Sequence, residues 1–225
     1  MFHEKKNNLP FQLLFPLMQL QLNDIQQLEQ RYRATFINSL AGFRQAVLVG
    51  TQSSEGVNNV AVFNSLIHLG ANPALYGFIS RPDTVQRDTL VNIQSSGYYT
   101  FNYMDVALAE KVHQTSARYL PHESEFDMVG LEPSFIQDIP APFVSNAKVK
   151  IGMKLEDIVY LPINGTKMVI GSIQFIQLDE QWVTNDGFVD LQAADTLIAC
   201  GLDAYSASKP IARFPYAKPK TRENL

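Results

Sequence analysis

Cysteine is almost missing from this 225-residue chain. Cys200 stands alone, which excludes an intrachain disulfide framework and a multi-cysteine metal site and fits a reducing cytoplasm. Within Thr196-Leu197-Ile198-Ala199-Cys200-Gly201 it reads as a buried, inert thiol. Histidine is sparse as well. His3, His68, His113 and His122 form no i, i+4 pair and no close ligand spacing, so no metal site is expected, and His68, in an apolar stretch, reads as a core or rim residue. Excess positive charge is lacking: a formal net charge of −4 gives no general attraction for nucleic acid or anionic lipid, so any cationic character must be local. Long apolar runs are lacking too. Lys5 and Lys6 precede an apolar stretch from Leu9 to Leu20, but Pro10, Gln12, Pro16 and Gln19 interrupt it, no small-residue cleavage site follows, and no alanine occurs before Ala34. A soluble cytoplasmic protein, with no membrane and no nucleic-acid partner, is the expectation. Ser39, Ser65 and Ser80 have no nucleophile-elbow context, which leaves a hydrolase triad without support.

What is present is enough apolar residue for a sizeable core: 46% hydrophobic and 18% charged residues suit one large domain. Residues 1–22 read as an N-terminal extension and 23–225 as the domain. Asp24 to Leu40 carries Ile25, Leu28, Tyr32, Phe36, Ile37 and Leu40 at helical spacing, with Asp24 as cap and an end before Gly42. Strands are expected over Ala46–Thr51, Val60–Leu69 and Leu75–Ser80, then a helix from Asp88 to Ser95 stopped by Gly97, and an aromatic strand over Tyr98–Tyr103. Val106–Thr115 reads as a helix, Pro121–Pro142 as turn-rich with a short helix around Glu123–Val129, and Phe143–Leu161 as strand by its alternation. Asn164-Gly165-Thr166 turns the chain into a strand over Met168–Leu178, and Leu191–Cys200 is either a short helix or a covered segment. About six strands with short helices between them favour a mainly β fold, an antiparallel barrel with peripheral helices, over a parallel doubly wound sheet.

Chemistry concentrates in two segments. From Ser80 through Arg81-Pro82-Asp83-Thr84-Val85-Gln86-Arg87-Asp88-Thr89 a strand end runs through a basic turn into a helix start, where unpaired backbone N–H groups, Arg81, Arg87 and the Thr89 hydroxyl can converge on a phosphate. A capped helix with two solvated arginines is the plainer account. In Asn58-Asn59-Val60-Ala61-Val62-Phe63-Asn64-Ser65 polar residues bracket an apolar strand, so Asn64 and Ser65 can meet the rim of a planar heterocycle while Phe63 packs beside it; they can equally begin a turn. Arg44 is a third basic group able to face the same site. Glu123 and Glu125 read as a solvated helix start, Glu156 and Asp157 as strand-end or turn residues, and Trp182 as a cover over the barrel end or the ligand.

Taken in order, Gly42-Phe43-Arg44, Asn59-x-Ala61-x-Phe63-Asn64-Ser65, the Arg81 turn, Arg87-Asp88-Thr89-Leu90-x-Asn92-Ile93, Tyr99–Tyr103 and Glu125-Phe126-Asp127-x-x-Gly130-Leu131 resemble the flavin reductase-like family of FMN-binding split barrels, closest to its flavoredoxin-type branch, over about residues 38–178. The resemblance implies a Greek-key split barrel, a homodimer with FMN near the subunit interface, NAD(P)H as a possible electron donor, a small-molecule or protein redox partner, and electron transfer through the flavin. It implies that Arg81, Arg87, Asp88 and Thr89 hold the FMN phosphate, Asp88 through its backbone while its side chain caps the helix. Phe63, Asn64 and Ser65 then lie along the ring, with Asn59 and Thr84 as further contacts. Many relatives carry a Gly-Asp-His turn before the last long strand, where this chain reads Asn164-Gly165-Thr166. That departure keeps a non-catalytic flavin binder or electron carrier open as the alternative.

Overall fold

In the computed structural model, residues 17–82, 87–120, 122–136 and 138–219 are described. The architecture grows from strands that alternate on both faces. Strand β1 spans Phe43–Gln45 and β2 spans Val47–Gln52; Val47 and Val49 enter one apolar core while Leu48, between them, enters another. A half-buried strand would have shown polar residues on one side; β2 is covered on both, so its sequence reads as a continuous apolar run. Next come β3 (Asn58–Phe63), β4 (Ile67–Ala71) and β5 (Ala74–Ser80), then β6 (Tyr98–Tyr103). Strands β7 (Pro133–Ile136) and β8 (Ile139–Val144) form a separate hairpin, and β9 (Val149–Leu161) and β10 (Thr166–Gln177) a long one. The main sheet has seven strands in the order β3-β2-β6-β9-β10-β5-β4, every pair antiparallel. A second sheet joins β1 to β11 (Leu197–Cys200) and β12 (Ala204–Ala207). This is the mainly β, antiparallel split-barrel fold class expected.

Strand β6 shows how the layers hold together. Tyr99, Phe101 and Tyr103 point into the barrel core, where edge-to-face contacts with Phe78 and each other fill the volume. Thr100 and Asn102 point the other way and are also fully buried. Their polar atoms are satisfied there: the Thr100 hydroxyl donates to the Pro142 carbonyl at 2.6 Å, Asn102 Nδ2 donates to the Leu48 carbonyl, and Asn102 Oδ1 accepts from the Val144 N–H. These bonds clamp β8 across the sheet. Gly50 belongs to the same clamp, since a Cβ there would collide with the Pro142 carbonyl oxygen.

Several expectations need correction. The helix over Asp24–Leu40 is two helices, α1 (Leu22–Gln27) and α2 (Gln30–Leu40), and Gln21 is the cap of the first, with Asp24 at the third position of its capping box. Glu29 accepts from the Arg31 and Tyr32 N–H groups and restarts the helix. Val60–Leu69 is interrupted at residues 64–66, because Asn64 and Ser65 bond to other segments. Helix α3 (Asp88–Ser96) ends at Gly97, whose φ of 72° is the left-handed cap. Val106–Leu108 is a 3-10 turn leading into α4 (Ala109–Gln114), and α5 spans Glu125–Val129. The turn-rich region holds β7 and part of β8, and Leu191–Cys200 ends in a strand. His68 is exposed on edge strand β4, edge-on to Tyr76, and Cys200 is only half-buried. Glu156 sits within β9, where it accepts from the Ser172 hydroxyl. No helix among the described residues is long and apolar enough to cross a membrane.

Candidate functional site

A cavity of about 600 Å³ lies where the main sheet meets the β1-β11-β12 sheet, within the size range of small-molecule sites. Asn59, Phe63, Asn64, Ser65, Arg81, Arg87, Asp88 and Thr89 all line it, although they come from two strands and a helix start. Thr84 lies outside the described residues. Trp182, in a 3-10 turn, is not among the lining residues.

One end of the cavity is built on α3. Its cap residue is Arg87, whose side chain makes no capping bond while its carbonyl accepts from the Leu90 and Val91 N–H groups. This corrects the assignment of capping to the Asp88 side chain: Asp88 is the first helical residue, where its charge suits the helix dipole. Thr89 is buried and donates to Asn59 Oδ1 at 3.2 Å. The same oxygen accepts from Thr51 Oγ1 at 3.1 Å, and Asn92 Nδ2 donates to that Thr51 hydroxyl. Asn59 Nδ2 donates to both oxygens of Glu125, at 2.9 and 2.8 Å, and the Val60 N–H reaches Glu125 Oε2 at 3.3 Å. Asn59 is therefore fully engaged inside the protein and acts on the site by fixing Thr89.

Glu125 is the residue sequence reasoning missed. It is 7% exposed, not solvated, and desolvation pushes its carboxyl above the ordinary range, with the negative charge of Asp88 adding in the same direction. Hydrogen bonds from its own backbone, Val60 and Asn59 oppose the rise without cancelling it. A signal existed: Glu125 and Val129 are four apart on α5 and share its buried face.

The ring-side residues also serve the fold. Asn64 Nδ2 donates to the Gly201 carbonyl at 2.6 Å, while the Ser65 hydroxyl accepts from the Ile79 N–H at 3.0 Å and donates back to its carbonyl. The Ser65 hydroxyl and one of the two Asn64 amide N–H groups thus pin segments together. Phe63 rests edge-on against Phe78 at 4.8 Å, tying the cavity wall to the barrel core. Four arginines, Arg44, Arg81, Arg87 and Arg118, face two carboxylates, Asp88 and Glu125, so the lining is cationic in an otherwise acidic chain.

The model of the flavin reductase like domain matches residues 41–191, about two thirds of the chain. The chain belongs to that family. Among solved structures, one similar to it is a protein from Shewanella frigidimarina NCIMB 400 assigned as a flavin reductase with split barrel domain, at 47% identity and a TM-score of 0.85 over 89% of this chain and 100% of that one. The flavoredoxin of Desulfovibrio vulgaris (Miyazaki F) shares the fold at 20% identity and a TM-score of 0.67, covering 78% of this chain and 92% of its own. The uncharacterized protein YwrF of Bacillus subtilis (strain 168) is 28% identical over 143 residues, 61% of this chain and 70% of the relative. Family membership gives this flavin reductase-like chain a flavin-related oxidoreductase role and a flavin cofactor.

Proposed function

We propose that this chain is an FMN-dependent oxidoreductase that draws electrons from NAD(P)H and works as a homodimer. The observation that carries the reading is the single cationic cavity in which a helix start with Arg81 and Arg87 shares a wall with the edge of β3. The residues fit the cofactor. Arg81, Arg87 and the first turn of α3 bind a terminal phosphate by charge-assisted bonds, while Thr89, whose hydroxyl proton is given to Asn59 Oδ1, fixes the helix start against β3. Strand β3 is the free edge of the main sheet, and the Val60 N–H points away from β2 toward Glu125. By the two-residue alternation Val62 points the same way, so its backbone N–H and C=O meet the polar rim of a flat ring while Phe63 packs beside it. FMN, when bound, supplies a ring that accepts a hydride and passes electrons onward; the chain's residues hold, orient and partly desolvate it.

Dimer formation is supported by an exposed helical surface among the described residues. Helices α1 and α2 bury no residue, and Leu22, Leu40 and Phe43 are each about two-thirds exposed or more. Size-exclusion chromatography with light scattering reads this directly; a monomer at micromolar concentration refutes it.

The decisive measurement for the cofactor is the absorbance spectrum of the purified protein, followed by an FMN-induced thermal shift. A yellow protein stabilised by FMN supports the reading, and a colourless one indifferent to FMN refutes it. Anaerobic mixing with NADH and NADPH then reads the donor. Bleaching of the flavin band marks the oxidoreductase. Persistent colour with both favours an electron carrier, the reading supported by the Asn164-Gly165-Thr166 turn, where Asn164 Oδ1 accepts from the Thr166 N–H and hydroxyl and no histidine stands.

A further inference from the structure

The end of the cavity away from α3 is built differently. In the β1-β11-β12 sheet Arg44 lies directly opposite Ala199, and Ala199 directly opposite Tyr205. Cross-strand partners share a face, so a guanidinium, a methyl group and a phenol stand in one row, and all three line the cavity. Adjacent strands are about 4.8 Å apart, which sets Arg44 and Tyr205 roughly 10 Å apart at the backbone with a low floor between them. Two long side chains flanking an alanine make a notch the width of one small flat molecule.

The polar groups of this notch show what it takes. Arg44 Nε is buried and has no hydrogen-bond partner among the described residues, and Arg44 forms no ion pair there. Arginine offers donors only and stays charged, so a guanidinium that lines a cavity and has a buried N–H without a partner among the described residues favours an anionic acceptor entering beside it. Tyr205 is positioned by His113, whose Nδ1 lies 3.2 Å from the phenol oxygen, with the two rings edge-on at 5.6 Å. The neighbouring lining residue Leu202 adds apolar surface.

We propose that Arg44, Ala199 and Tyr205 form a second subsite that binds a small planar organic carboxylate, the carboxylate on Arg44 and the flat body over Ala199 toward Tyr205. A carboxylate fits better than a phosphate group. The α3 end gathers two arginines and a helix terminus around its anion, whereas this row sets one guanidinium, Arg44, beside the apolar surface of Ala199 and Leu202. The subsite rests on the FMN reading only for what lies beside it.

Benzoate is the probe, titrated by calorimetry into the protein as purified and, in parallel, into FMN-saturated protein with the flavin spectrum as readout. Saturable benzoate binding with a much weaker response to the neutral analogue benzamide is expected. Arg44→Met should weaken benzoate by about tenfold or more while FMN affinity falls far less than in Arg87→Ala, and Tyr205→Phe should weaken benzoate by a few-fold. Circular dichroism and the FMN titration certify that each variant is folded. The subsite is overturned if wild-type protein takes no benzoate, if benzamide binds equally well, if inorganic phosphate competes as well as benzoate, or if both variants bind benzoate like wild type. A fall in FMN affinity in Arg44→Met as large as in Arg87→Ala also overturns it, by placing Arg44 at the flavin. Failure of the FMN reading is separate: the protein then takes no FMN, yet the calorimetric benzoate titration still reports on the notch.

Discussion

The two ends of one cavity solve the problem of buried polarity in opposite ways. At the α3 end, Thr89, Asn59, Thr51, Asn92 and Glu125 form a continuous chain of hydrogen bonds, so these five side chains are already engaged before a ligand arrives. At the β1-β11-β12 end, Arg44 keeps a buried donor without a partner among the described residues. A continuous network gives geometry and rigidity; an open donor gives affinity for whatever completes it. The same fold thus presents a prepared seat and a waiting hook a few strands apart.

The sharpest way to break the contrast is to open that network. Glu125→Ala leaves the Asn59 amide and the Val60 N–H unsatisfied in a buried place, and a loss of about 3 kcal/mol in unfolding free energy is expected in a urea titration. Arg44→Met removes a guanidinium whose buried Nε has no partner among the described residues and should change stability by about 0.5 kcal/mol or less. Equal losses in both variants would erase the distinction.

Arg87→Ala tests the seat through its ligand. It should weaken FMN by about 1.5 to 3 kcal/mol and leave riboflavin, which lacks the phosphate, nearly untouched. Fluorescence titrations with both ligands decide it, and equal losses would move the phosphate elsewhere. Thr89→Val removes the bond that ties the helix start to Asn59 and should cost about 1 kcal/mol of unfolding free energy in a urea titration, less than Glu125→Ala.

The smallest effect is a pH dependence. Burial and Asp88 raise the Glu125 carboxyl in the folded state, so over the window between its ordinary value and its raised one the folded protein holds a proton that the unfolded chain has released. Unfolding free energy of the ligand-free protein should therefore fall as pH rises through and above the ordinary carboxylate range. In Glu125→Gln this component of the slope should vanish. An unchanged slope in urea titrations across that range would show that the titrating group lies elsewhere.

Local patterns in the chain were enough for most elements. The aromatic run at Tyr98–Tyr103, the glycine stop at Gly97 and the turn at Asn164–Thr166 report directly on strand, helix end and hairpin, because each depends on neighbours within a few residues. Eight of the nine expected cofactor contacts meet in one cavity because the strand and helix that carry them were legible, and their order matched a known family. Glu125 was misread as solvated for the opposite reason: its partner Asn59 lies 66 residues away, and only the packing of α5 against β3 buries the carboxylate. The row of Arg44, Ala199 and Tyr205 was equally hidden, since β12 was not foreseen and register between strands more than 150 residues apart leaves no local trace.

By itself, then, the sequence determined a single-cysteine, mildly acidic, mainly β chain with a basic turn at a helix start, since composition and short-range periodicity follow from covalent neighbours. Tertiary structure alone decided which polar side chains are shut away in pairs and which are left open toward the cavity. Burial, and with it the strength of every charge and hydrogen bond in the site, depends on what the rest of the chain stacks around a residue, and that is not written beside it.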